Sequence, residues 1–147
     1  MVSALLIREP HLGRILDGSK TWEIRGMRTH RRGRLILARS GSGLLIGECQ
    51  LVDVVGPLDM LALAQTSALP DEQKRDISGT GVVPYVRPDG ASRTYAWVLD
   101  SPVTYPEPVP YRHPQGAVIF VDVTPERSPE WFRLHADTTE THLPIKE

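Results

Sequence analysis

The sequence predicts an α+β fold: a small, mixed, mostly antiparallel sheet curled into a β-barrel, with two or three short helices. Three observations carry this expectation. About six apolar runs of strand length recur along the chain, separated by glycine and proline. One early stretch has clear helical spacing. Helices do not follow most of the strands, which excludes a doubly wound parallel sheet. A length of 147 residues suits one domain with a real core.

Val2 to Arg8 is an apolar run and reads as a core strand. Pro10 suits a first helical turn, Leu12, Ile15 and Leu16 follow at helical spacing, and Gly18 is a natural stop. Lys20 to Arg25 alternates with a period of two: Trp22 and Ile24 share one face, and Thr21, Glu23 and Arg25 the other. A basic loop over 26–33 leads to a strand over 34–40, a turn at Gly41-Ser42-Gly43 and a long strand over 43–55 that places Cys49 and Leu51 on one face. Gly56-Pro57 ends that strand. Leu58, Leu61 and Ala62 suggest a short helix, and a second turn of helix starts after Pro70 at Asp71-Glu72. Residues 77–91 read as an ordered loop. Arg93 to Leu99 and Gly116 to Val123 are strands, joined by a proline-rich extended connection. Apolar residues thin after Thr124, so the expected division is a domain over 1–124 and a partly ordered tail over 125–147 anchored by Trp131, Phe132 and Leu134.

Composition narrows the function. Hydrophobic residues make up 40% and charged residues 24%, which excludes a disordered chain. No apolar run approaches the ~20 residues of a membrane span, and MVSALLIREP lacks the basic start and long apolar stretch of a secretory signal. A single cysteine excludes an internal disulfide framework, so a reducing, cytoplasmic setting is expected. His11, His30, His113, His135 and His142 are scattered without ligand spacing, so neither a metal nor another cofactor is expected. Glycine-rich phosphate loops and serine-hydrolase elbows are absent. Nothing in the pattern calls for a second copy, and a monomer is the default.

The net charge of −1 conceals a split. Residues 1–40 carry nine basic groups against three acids, +6, so the other 107 residues sum to −7. Fourteen of the seventeen basic residues are arginines, whose planar fork suits phosphates and stacked bases. The pattern fits either a solvated basic face or an anionic partner, RNA first among them. Within that third, Lys20, Glu23 and Arg25 crowd the mouth of a strand just after a helix stop. Glu23 and Arg25 project together and can pair. A surface ion-pair ladder would use the same residues. Arg28 and Arg32 are candidate phosphate contacts, and Trp22, Tyr95, Trp97 and Tyr111 candidate stacking surfaces.

The pattern Gly18-x-Lys20-x-x-Glu23-x-Arg25 after a short amphipathic helix resembles the signature of the ASCH (activating-signal-cointegrator homology) domain family. HRRGRLILARS, LLIGECQLVDV and YAWVLDSPVTYPEPVPYRHPQGAVIFVDV resemble that family's later strands in order, so the likeness spans roughly residues 3–123. It implies a PUA-like β-barrel with a cleft beside the first helix. The expected ligand is RNA or a modified nucleoside, held by Lys20, Glu23, Arg25, Arg28 and Arg32. Some ASCH-type proteins are hydrolases, cleaving RNA or the acyl amide of acetylated cytidine, which would make Lys20 and Glu23 the catalytic pair. In the amidohydrolase group a threonine nucleophile stands three residues after the lysine. Here that position is Glu23, and a carboxylate does not replace a hydroxyl nucleophile.

Overall fold

The computed structural model describes the backbone of residues 2–142 and the side chains of residues 2–136. The end of the expected tail, 143–147, lies outside the described residues. In chain order the elements are β1 (Val2–Ile7), α1 (His11–Leu16), β2 (Trp22–Arg25), β3 (Gly33–Arg39), β4 (Leu44–Val55), α2 (Met60–Gln65), α3 (Asp71–Thr80), β5 (Tyr95–Pro110), β6 (Phe120–Val123) and α4 (Pro129–His142). The class is mixed α+β, with four helices among the described residues where two or three were expected.

The six strands form one sheet in the order β2-β5-β4-β3-β1-β6. β1 runs parallel to β3 with Leu5 opposite Leu37, and antiparallel to β6 with Ala4 opposite Val121. The expected closure into a barrel does not occur. β2 and β6 are the two ends of the order, each is four residues long, and no described pairing joins them. A barrel requires every strand to have two paired edges, so the sheet is open.

The chain divides into two compact units: residues 1–12, 34–49 and 103–147 form one, and 13–33 with 50–102 the other. The first packs Ala4, Leu6, Ile36, Ala38, Leu45, Val109, Val121 and Trp131 into an apolar core. Trp131 is fully buried, and its indole donates to the Tyr105 hydroxyl at 2.9 Å. The second gathers Leu58, Leu63, Leu69 and Ala96, with Trp22, Ile24, Val55 and Ile77 packed against them.

Several sequence expectations shift for identifiable reasons. The proline-rich connection is strand: Pro106, Pro108 and Pro110 all lie within β5. They alternate, so the missing N–H groups fall along one edge and leave the other able to pair. Tyr105 and Val109, at the intervening parity, are buried. The strand expected from Gly116 starts only at Phe120, which leaves Val118 outside β6 and 77% exposed. In α2 the buried residue is Leu63 while Leu61 faces out. α3 continues to Thr80, into the stretch expected to be loop, and stops at Gly81, whose φ of +76° glycine adopts without strain.

Candidate functional site

Lys20, Glu23 and Arg25 and the residues that hold them belong to the second unit. α1 ends before Gly18, which has a φ of +86°, and the Lys20 N–H donates to the Arg14 carbonyl at 3.0 Å. The Thr21 N–H then donates to the Ala68 carbonyl at 2.9 Å and Leu99 returns a bond to the Thr21 carbonyl at 2.8 Å. These bonds fix the strand mouth. They leave Thr21 exposed and carry the Lys20 side chain inward.

β2 pairs antiparallel with β5, placing Glu23 opposite Trp97 and Arg25 opposite Tyr95. Directly opposed residues share a face, so Glu23, Arg25, Tyr95 and Trp97 line one side of this ladder. Trp22 and Ile24 occupy the other side, against the apolar cluster. The burial departs from alternation at Glu23. Glu23 is 7% exposed, whereas Trp22 and Ile24 are only half-buried.

Lys20 is 1% exposed. Its ammonium donates to Gln73 Oε1 on α3 at 2.8 Å and stands 3.8 Å from Glu23 Oε1. Arg25 closes on the other carboxylate oxygen, with Nε at 3.0 Å and Nη2 at 2.9 Å from Oε2. One carboxylate is therefore held between two cations, each on its own oxygen. The Arg25 guanidinium also lies over the Trp97 ring, 5.6 Å from its centroid. Burial drives the Lys20 amine from its ordinary value near 10.5 down to about 8; Glu23 opposes this, while Arg14 and Arg25 reinforce it.

The basic loop starts on this face. Trp97 Nε1 donates to the Met27 carbonyl at 2.9 Å, and Arg93 Nη1 to the Gly26 carbonyl at 2.8 Å. A side chain at Gly26 would collide with Arg93 and the Tyr85 ring, so only glycine permits this approach. Arg28 lies over the Tyr95 ring, 5.5 Å from its centroid. The structure thus brings Arg28 beside the strand pair that carries Arg25. Arg32 folds back on its own loop, donating to the Thr29 and Arg31 carbonyls.

The stacking candidates divide. Trp97 is fully buried and its ring faces Arg25, so it has no open face for a base. Tyr95 and Trp22 are half-buried. Tyr111 lies in the other unit, its hydroxyl 2.9 Å from His113 Nδ1. A concavity of about 310 Å³ is lined by Ala64, Asp71, Lys74, Arg75 and Ser78 on α2 and α3, and neither Lys20 nor Glu23 is among its walls. Among the described residues no three histidine, cysteine, aspartate or glutamate side chains gather as a metal site, and no helix is long and apolar enough to cross a membrane.

Sequence reasoning missed Gln73 and Arg14. Gln73 is 53 residues from Lys20, and no local pattern distinguishes it from any glutamine in a helix's first turn. Arg14 Nη2 pairs with Glu72 Oε1 at 2.7 Å, which ties α3 to the residues beside the lysine.

The ASCH domain family matches the chain over residues 5–109. Among solved structures, the crystal structure of ASCH from Zymomonas mobilis is similar at 18% identity and a TM-score of 0.55, covering 90% of this chain and 94% of that one. A tyrosine-to-phenylalanine mutant of that protein aligns at 17% identity and a TM-score of 0.56, over 90% and 96% of the two chains. A serine-to-alanine mutant aligns at 17% and 0.54, over 84% and 89%. At such identities the likeness is one of fold. No curated protein matches the chain.

Proposed function

The chain belongs to the ASCH domain family, a family thought to bind RNA, and from that premise we propose that it holds RNA or a modified nucleoside at Lys20, Glu23 and Arg25. The observation that carries the reading is the burial of Lys20 and Glu23, with half-buried Arg25 paired to the same carboxylate. Removing charges from water costs several kcal/mol per ion and seldom improves stability over apolar packing, so a lysine and a glutamate buried side by side favour a role beyond stability. Arg28, exposed and stacked on Tyr95, adds a cation and a ring at the rim. Such a pair suits a phosphate or an unstacked base. Arg32, on the outer part of the loop, contributes a diffuse attraction to the phosphate chain.

A buried amine 3.8 Å from a buried carboxylate, Lys20 Nζ to Glu23 Oε1, favours a second reading, a hydrolase on the same residues. An amine brought to about 8 exchanges protons near neutral pH, which an unperturbed lysine does not. In that reading Lys20 and Glu23 move the proton, and Arg25 steadies the carboxylate and the developing negative charge.

Purified protein incubated with single-stranded RNA, and separately with N4-acetylated cytidine, tests both readings, with Glu23→Gln as the control. Binding without turnover, lost in Glu23→Gln, supports the first reading. Turnover lost in that variant supports the second. Binding and turnover that persist unchanged in Glu23→Gln refute the site.

A further inference from the structure

We propose that Gln73 is a positioning residue for Lys20: its neutral amide oxygen fixes the direction of the lysine nitrogen and lets that nitrogen change charge without losing its partner. The inference rests on the reading of Lys20 as a site residue and adds the group that governs it.

The geometry separates two acceptors. The short bond from Lys20 Nζ goes to Gln73 Oε1 at 2.8 Å, and the nearest carboxylate oxygen of Glu23 stands a full ångström further, at 3.8 Å. An amide oxygen accepts from a neutral amine as well as from an ammonium, more strongly from the ammonium. A carboxylate at the same place would hold the proton on the nitrogen by its charge. Glu23 cannot take over the short contact, because Arg25 draws its other oxygen with two nitrogens at 3.0 and 2.9 Å.

The position of Gln73 is fixed from both sides. Its neighbour Glu72 is bound to Arg14 at 2.7 Å. Its other neighbour, Lys74, is turned to the Thr66 carbonyl at 2.8 Å and to Asp71 at 3.4 Å. The charged groups acting on Lys20 are therefore Glu23 and Arg25 from β2 and Arg14 from α1, with Glu72 of α3 engaged by Arg14. Gln73 is the uncharged member of this ring and the one in hydrogen-bond contact. Burial of the nitrogen lowers its proton affinity, in keeping with a partner that supplies no charge.

The test exploits composition: the chain has three lysines, Lys20, Lys74 and Lys146. Full-length protein with isotopically labelled lysine is titrated by NMR, and Lys20 is assigned by its loss in Lys20→Met. Lys20 should titrate near 8 in the unaltered protein. Gln73→Glu should raise that midpoint by roughly 1–3 pH units, through a carboxylate in contact. Gln73→Met should lower it by about one, through loss of a bond that favours the charged form. A role confined to packing moves neither midpoint in a signed way. Midpoints of Lys20 that stay within about 0.3 of each other across the three proteins overturn the proposal. If Gln73→Glu does not fold, the downward shift in Gln73→Met decides the matter alone. Because the titration needs no ligand, failure of RNA or nucleoside binding leaves this result standing and counts only against the site reading.

Discussion

Replacing Lys20 with methionine should change the pH dependence of stability in a direction set by the burial of its amine. A lysine displaced from near 10.5 to about 8 binds fewer protons in the folded chain than in the unfolded chain between those values. Stability must then rise with pH across that window, because the unfolded state holds the extra proton. The full displacement corresponds to roughly 3 kcal/mol, and between about pH 7 and about pH 9.5 linkage recovers about 2 kcal/mol of it. Methionine matches the length of the side chain and carries no charge, so its curve lacks this rise. Chemical denaturation of both proteins at several pH values gives the difference curve, in which every other titrating group cancels. The unaltered protein should gain about 2 kcal/mol on the variant over that range, equivalent to roughly 6 °C in Tm for a chain of this size. Near neutral pH, Lys20→Met should be as stable as the unaltered protein or more so, since an apolar side chain of similar volume often replaces a buried charge without loss. Parallel curves, or a neutral-pH loss of several kcal/mol, would refute the argument that Lys20 is buried at a cost.

Two further outcomes follow from the same geometry. Arg28→Ala and Arg32→Ala should weaken binding of single-stranded RNA about equally for all sequences, and each true phosphate contact removed should flatten the plot of log affinity against log salt by about 0.7; fluorescence anisotropy across a salt series measures it, and unchanged slopes in both variants dismiss the loop as a contact. Trp131→Ala should cost about 3–5 kcal/mol by denaturant titration, since the indole is fully buried and donates to Tyr105; a loss under about 1 kcal/mol would mean that α4 does not hold its unit together.

The order and kind of most elements were legible because they rest on local rules. A glycine after the amphipathic turn stops α1, and proline followed by two acids starts α3. Leu35, Leu37, Cys49, Leu51 and Trp97 are buried where strand periodicity places them. β2 shows where such rules end. Alternation assigns its polar face to solvent, because one face of a half-buried strand is ordinarily wet. Here that face is covered by Trp97 and by Lys20, which lies outside the strand's own period. Lys20, Glu23 and Arg25 could be picked out as candidates, but the burial of Lys20 and Glu23 could not, since their neighbours Gln73 and Trp97 are distant in the chain. Gln73 was invisible for the same reason: a hydrogen bond across 53 residues leaves no local trace. The open sheet was equally out of reach, because strand count constrains a barrel only together with the pairing of its two ends.

A second buried polar cluster, in the other unit, clarifies what is particular about the first. Arg34 forks onto both oxygens of Glu48 at 3.0 and 2.7 Å, Tyr105 donates to the same carboxylate at 2.8 Å, and Trp131 donates to Tyr105. Arg34 also donates to the His135 carbonyl at 3.1 Å and lies over the Trp131 ring. There three donors, two from Arg34 and one from Tyr105, converge on a single carboxylate. Burial pushes the Tyr105 hydroxyl well above its usual range, and the same cause lowers the His135 imidazole stacked on it. It ties α4 to β3, β4 and β5 and reads as structure. In the Lys20 cluster the carboxylate is divided between two cations, one of which is an amine whose proton affinity burial lowers. Two sets of buried charges in one small chain thus differ in their donors, an arginine and a tyrosine on Glu48 against an arginine and an amine on Glu23, and it is the amine that the proposed reading takes as the chemical group.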